Sequence, residues 1–228
     1  EPGFRPKTAF FRYWGGAFPR AAVGPQDEVY IVYMGLSTTK PTDDGDIFIV
    51  RSMDKGETWS APRRLGGDET DRLQFFPSIA ADPSGGLHVS WGDMRDDPSG
   101  LRYHIYYTQS EDGGETWGFK HAQSTILTPD TRMTDFPSNS NQAFPYGLFI
   151  GDYFAIAATD DEVYAVWADA RLGEFGSPNQ KIAFARKKAM TSSEIYLSPA
   201  SGPGGQQVGR QPGPGQNQVR GPPGGLQP

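Results

Sequence analysis

The stretch SMDKGETWS, residues 52–60, recurs almost unchanged as SEDGGETWG at 110–118. The shared phrase is Ser-x-Asp-x-Gly-x-Thr-Trp, running from Ser52 to Trp59 and again from Ser110 to Trp117. Each residue type in it suits a tight corner between two strands. Gly56 and Gly114 can take positive φ at no steric cost. Asp54 and Asp112 can accept hydrogen bonds from nearby backbone N–H groups, as Asx turns do. Thr58 and Thr116 restart an extended chain, and Trp59 and Trp117 are expected to bury large rings against the sheet. The phrase therefore reads as a folding device, not as a catalytic motif.

The repeat extends well beyond the phrase. FPRAAVGPQDEVYIVYMG (18–35), FPSIAADPSGGLHVSWGD (76–93) and DYFAIAATDDEVYAVWAD (152–169) each give a short strand, a polar turn and a stronger strand ending in an aromatic. Tyr33, Trp91 and Trp167 occupy equivalent places. A third strand follows in each unit, as DIFIVRS (46–52), YHIYYTQS (103–110) and KIAFARK (181–187). A fourth is expected from TWSAPRRL, TWGFKHAQ and EIYLS in turn. The interval from Trp91 to Trp167 is longer than that from Tyr33 to Trp91, and the extra residues fall in the stretch TPDTRMTDFPSNSNQAFPYG. Four antiparallel strands per repeat of roughly 40–60 residues predict propeller blades. Strands such as VYIVYM and VYAVWA are apolar on both alternating faces, as strands stacked between neighbouring sheets should be. The fold class expected is all-β, with three clear four-stranded blades over 1–198 and an extended Gly/Pro-rich tail over 199–228.

Composition narrows the function. The 228 residues carry a formal net charge of −6, with basic residues scattered and not striped, which argues against nucleic acid as a partner. No apolar run reaches the ~18 residues of a membrane span. Cysteine is absent, which removes thiol catalysis and cysteine-held metal. Of the three histidines, His88 and His104 fall inside strand patterns and read as structural. There is neither a Gly-x-Ser-x-Gly elbow nor a Walker loop. The start at Glu1 is that expected of a processed or trimmed chain.

The repeated phrase resembles the Asp-box, or BNR repeat, of sialidases and related β-propellers. The wider pattern, with FPSIAADPSGGLHVSWGDMRDD and FIGDYFAIAATDDEVYAVWADAR, is similar to bacterial and archaeal sialidase-like proteins over about residues 15–190. The resemblance implies a six-bladed ring with its Asp-boxes on the face away from the ligand site. It implies, too, an arginine triad that holds a substrate carboxylate, a Tyr–Glu nucleophile pair and an aspartate acid/base. The chain departs from that set: FPRAA and FPSIA carry Phe where the first arginine is expected. Three blades leave two open faces, so either further blades or another copy is expected to cover them, with KTAFFRYW (7–14) as a stray strand of a fourth.

Trp-x-Asp-x-Arg also repeats, as Trp91, Asp93, Arg95 and as Trp167, Asp169, Arg171. Positions i, i+2 and i+4 share a strand face, so each Asp lies beside its Arg. The pairs then either bind a carboxylate or sugar or brace the loop to strand three. Acidic loops at 42–46 (Asp43, Asp44, Asp46) and 93–100 are candidates for calcium or for solvated turns. From Pro199 onward there are 9 Gly, 7 Pro and no acidic residue in 30 positions, and the body without Arg210 and Arg220 carries −8. Extended at ~3.1 Å per residue, the tail spans roughly 90 Å, enough to reach another copy. The function expected is an extracellular or cell-surface, non-catalytic module acting in tail-linked self-assembly, as a homopolymer or filament, or in glycan binding, or in both. A sialidase-like glycoside hydrolase is the alternative.

Overall fold

The structure, a computed structural model, describes residues 17–37, 42–120, 127–143, 150–175, 181–188 and 196–199. The segment 7–14 and the tail beyond Pro199 lie outside these residues. What is described is almost entirely β, apart from short 3-10 turns at Ser140–Gln142 and Arg171–Phe175.

Sheet one has strands β1 (Arg20–Val23), β2 (Val29–Gly35), β3 (Asp46–Ser52) and β4 (Arg63–Arg64), paired in that order. Sheet two begins with β5 (Gln74–Ala81), β6 (Leu87–Asp93) and β7 (Arg102–Ser110). Between β7 and sheet three come four two-residue strands: β8 (Phe119–Lys120), β9 (Leu127–Thr128), β10 (Thr131–Arg132) and β11 (Ser138–Asn139). Sheet three is β12 (Ala155–Ala158), β13 (Glu162–Asp169), β14 (Lys181–Lys188) and β15 (Tyr196–Pro199). All pairings are antiparallel.

The sheets stand side by side and do not face one another as a sandwich. The inner strands β1 and β12 both pack on β5, which places sheet two between the others. Burial records this order. Nearly every residue of β5, β6 and β7 is buried, whereas β2 and β13 bury alternate residues. Tyr30, Val32 and Met34 point inward from sheet one, as do Val163, Ala165 and Trp167 from sheet three. The three sheets are blades, as the repeat predicts.

One expectation is corrected. TWGFKHAQ does not supply the fourth strand of blade two: Phe119–Lys120 pairs instead with β9. The outer edge of that blade comes from β10, which pairs with Tyr106 and Tyr107, and from β11, which pairs with Arg102 and Tyr103. Both lie in the longer interval before Trp167. A two-residue rung needs little apolar pattern, so the sequence signal there is weak.

A bulge in β5 shifts its register between Phe75 and Ser78. It puts two consecutive rings, Phe75 and Phe76, inside, where regular alternation would bury one. Phe76 pays for this with φ of 50°, and Phe18 has φ of 40° at the equivalent place.

Candidate functional site

At each Asp-box the serine hydroxyl and the carboxylate gather the corner's backbone. Ser52 Oγ donates to Asp54 Oδ1 at 2.7 Å and accepts from the Gly56 N–H at 2.8 Å. Asp54 accepts from the Thr58 N–H at 2.8 Å and from its hydroxyl at 2.5 Å. Ser110, Asp112, Gly114 and Thr116 repeat the pattern to within about 0.1 Å. Gly56 and Gly114 have φ of 94° and 84°. The indole N–H groups of Trp59 and Trp117 close the corners on the carbonyls of Gly56 and Gly114, both at 3.1 Å.

The two tryptophans differ in one respect, which corrects the expectation that both are buried. Trp117 is 6% exposed and Trp59 is 43% exposed. The second corner leans on blade one, where Arg51 donates to the Gly113 carbonyl at 2.8 Å and pairs with Glu115. The first corner belongs to the flanking blade.

These contacts set the corners' acid response. The Thr58 hydroxyl, then the Thr58 N–H and Ser52, hold the Asp54 carboxyl down to about 2 from an ordinary 3.8. Burial pulls Asp112 upward, but Thr116 and Ser110 outweigh it and leave it below its ordinary value. A carboxyl lowered in the folded state stabilises it fully above its unfolded value, and that contribution is lost as pH falls through the folded value. The chain is therefore expected to weaken between about pH 4 and about pH 2. An Asp54→Asn, Asp112→Asn double variant should lose less stability over that window, as urea unfolding at each pH would read; parallel curves for the two proteins would refute the assignment.

The opposite end holds Trp-x-Asp-x-Arg. Antiparallel register puts Asp93 beside His104 at that end and Leu87 beside Ser110 at the Asp-box end. Asp93, fully buried, accepts from Trp91 Nε1 at 2.8 Å, from the Arg95 N–H at 2.9 Å and from Arg95 Nη2 at 2.7 Å. Arg95 Nη1 reaches Asp130 at 3.0 Å, and the guanidinium lies 4.0 Å over the Tyr106 ring. Burial pushes the Asp93 carboxyl up, against the pull of Arg95. Burial would lower Arg95, but Asp93 and then Asp130 more than offset it and hold the guanidinium above its ordinary value.

In blade three, Arg171 Nε bonds Asp169 at 2.6 Å and its Nη1 bonds Asp135 at 2.8 Å. Asp169 takes a further hydrogen bond from Ser138. Trp167 is buried, yet its indole nitrogen meets no acceptor among the described residues, so this latch lacks the Trp–Asp link of blade two. Each arginine thus lies against two carboxylates of its own chain. The second partners, Asp130 and Asp135, come from the longer interval and were not singled out from sequence; the acidic residues of TPDTRMTD were the available signal.

The acidic loop of blade one is tied internally. Asp43 accepts from the Gly45 N–H at 2.9 Å, the Asp44 N–H donates to the Asp71 carbonyl, and Asp46 pairs with Arg64 at 2.7 Å. Among the described residues no three His or carboxylate side chains come together as a metal cage. His88 and His104 are buried within strands. His88 lies between Asp82 and the Tyr107 hydroxyl, and His104 beside Thr134.

Near the axis, at the Asp93 end, rings replace charges. Phe76 meets Phe18 at 5.6 Å and Phe154 at 5.3 Å, and Phe75 meets Tyr103 at 5.2 Å, all close to edge-on. Phe75 also fills the space over Gly92, where a Cβ would come within 2.7 Å of the ring.

This arrangement recurs in solved structures. A Penicillium chrysogenum alpha-L-arabinanase complexed with arabinobiose aligns at TM-score 0.55 and 16% identity, over 79% of this chain and 48% of that one. A Hadza microbial sialidase aligns at 0.52 and 15%, over 81% and 37%. A Fusarium graminearum alpha-L-arabinofuranosidase aligns at 0.51 and 15%, over 86% and 51%. The fold is that of a sialidase-like β-propeller. No protein-family model matches the sequence, and no curated protein matches it. The propeller chain spans about half or less of the length of these three structures. No helix among the described residues is long and apolar enough to cross a membrane.

Proposed function

We propose that this propeller is an extracellular, non-catalytic module that binds glycans and assembles with further copies of itself. The observation that carries the reading is the state of Arg95 and Arg171. Each faces two of the chain's own carboxylates, so neither has charge to spare for a substrate carboxylate. They brace the loops from strand two to strand three. Glycan binding is suggested by the fold's likeness to proteins that act on arabinose-containing and sialylated sugars.

Assembly is suggested by the flanking blades. Blade one turns Val23 outward, and blade three turns Val166 and Ile182 outward. The Gly/Pro-rich tail, basic against an acidic body, is the proposed connecting element.

The full chain is expected to show no turnover of fluorogenic sialosides or arabinofuranosides, and to form particles larger than a monomer in light scattering. Deleting residues 200–228 should reduce that mass. Turnover that disappears in Arg95→Ala or Arg171→Ala would replace this reading with that of a hydrolase. Equal masses with and without the tail would end the tail-linked assembly.

A further inference from the structure

Blade one holds blade two by one flank, and the chain repeats that flank on the outside of blade three. Register makes the match rung by rung. On blade one Tyr30 lies across from Arg51, Val32 from Ile49 and Met34 from Ile47. On blade three the same rungs are Tyr164 with Arg186, Val166 with Phe184 and Ala168 with Ile182. The blade-one set faces blade two and is enclosed there, with Val32 and Ile47 both 0% exposed. Blade three buries its other face, Val163, Ala165 and Trp167, so the repeated set looks away from blade two. Val166 is 37% exposed and Ile182 64%.

The opposing half of the contact is repeated as well. Blade two meets blade one through Trp91, which lies against Gly66, and through its Asp-box corner, where Gly114 stands among Leu87, Trp117 and Arg51. Arg51 donates to the Gly113 carbonyl at 2.8 Å and pairs with Glu115. Blade one carries the same features on its outer flank. Tyr33 stands for Trp91, Glu57 for Glu115 and half-exposed Trp59 for Trp117. Lys55 has φ of 61° where Gly113 has 65°, so the two corners share a backbone course. The Lys55 ammonium is drawn to Asp27 of its own blade.

Apolar flanks of this kind are unfavourable in water, and a fitting surface removes that cost. The two outer flanks are counterparts of surfaces that already fit each other inside the chain. Their charges match too: Arg186 takes the place of Arg51, and Glu57 that of Glu115. Arg186 rests 3.5 Å from Glu162, a loose pair that a second carboxylate can share. A second copy of the chain therefore supplies the whole contact. We propose that blade three of one copy seats blade one of another, with Arg186 at Glu57 and Trp59 enclosed as Trp117 is. A contact between two different flanks closes only where its rotation allows. Propellers close with typically 4–8 blades, and with three per chain the count that fits is six. Two copies then complete one ring, meeting twice about a two-fold axis. This contact rests on the self-assembly reading above and names its surfaces, leaving the tail to join one ring to the next.

The test exploits the lack of cysteine. Full-length Glu57→Cys and Arg186→Cys chains are treated with a short bis-maleimide, separately and mixed. The mixture should give a two-chain product on denaturing gels and neither chain alone should, because each contact brings one position 57 to one position 186. The ion pair lost in these variants contributes little beside the apolar surface. The Glu57→Cys, Arg186→Cys double variant should stop at two chains. Adding Ile182→Asp should cut the yield about tenfold or more with the far-UV spectrum unchanged, since that side chain is exposed in the single copy, and Ile182→Val should keep the yield. A ladder of longer products overturns the closed pair. No product in the mixture, product from either chain alone, or a yield indifferent to Ile182→Asp overturns the flank contact. Self-assembly then stands without it if light scattering still shows particles larger than one chain. A single-chain mass at every concentration overturns both.

Discussion

Trp117→Ala is expected to lower the free energy of unfolding by about 3–5 kcal/mol, and Trp59→Ala by only about 1 kcal/mol. The two residues close identical corners with identical hydrogen bonds, so the difference isolates burial. Trp117 is enclosed between its own corner and blade one, near Arg51, and its removal opens a cavity that rigid sheets cannot fill. Trp59 keeps a wet face, and its loss removes little more than one hydrogen bond. For a domain of this size the first substitution should lower the melting temperature by roughly 6–20 °C and the second by only a few. Equal costs would mean that the corner's internal bonds, not the neighbouring blade, hold the ring.

Arg95→Met is expected to cost about 3–5 kcal/mol, because it leaves Asp93 charged in a site with no access to water. Asp130 loses its partner in the same step, although it keeps the Gly67 N–H. Adding Asp93→Asn should recover much of the loss, since the amide oxygen can still accept from Trp91 or the Arg95 N–H without a buried charge. Denaturant titration of the single and double variants supplies the comparison. If the second change adds to the first, the pair is not the electrostatic unit described here.

What could be read from the sequence follows the range of the forces involved. The corner phrase works within eight residues, so Asp54, Gly56, Asp112 and Gly114 declare their geometry locally. The aromatic-ended second strands are equally plain, and with them the stacking of blades. Asp93 beside Arg95 follows from strand periodicity alone. The partners that decide what Arg95 and Arg171 do are another matter. Asp130 and Asp135 reach them from a separate stretch of chain, and nothing local marks them. The same holds for Trp59, whose exposure depends on which blade lies next to it. Phe75 and Phe76 were hidden for a further reason: a bulge breaks the alternation on which a reading of strands relies.

The outer edge of blade two has a practical consequence. Its last strand is built from two separate rungs, each gripping a different part of β7; between them Met133 and Thr134 still bond β7, and only Asp135 and Phe136 turn outward. The inner strand, by contrast, is wedged between neighbours on both sides. Tolerance to change should therefore rise with distance from the axis. The rim at Phe136 and Pro137, just past the Asp135 that pairs with Arg171, offers a graft point, where an epitope or reporter could be spliced in without disturbing how the blades radiate.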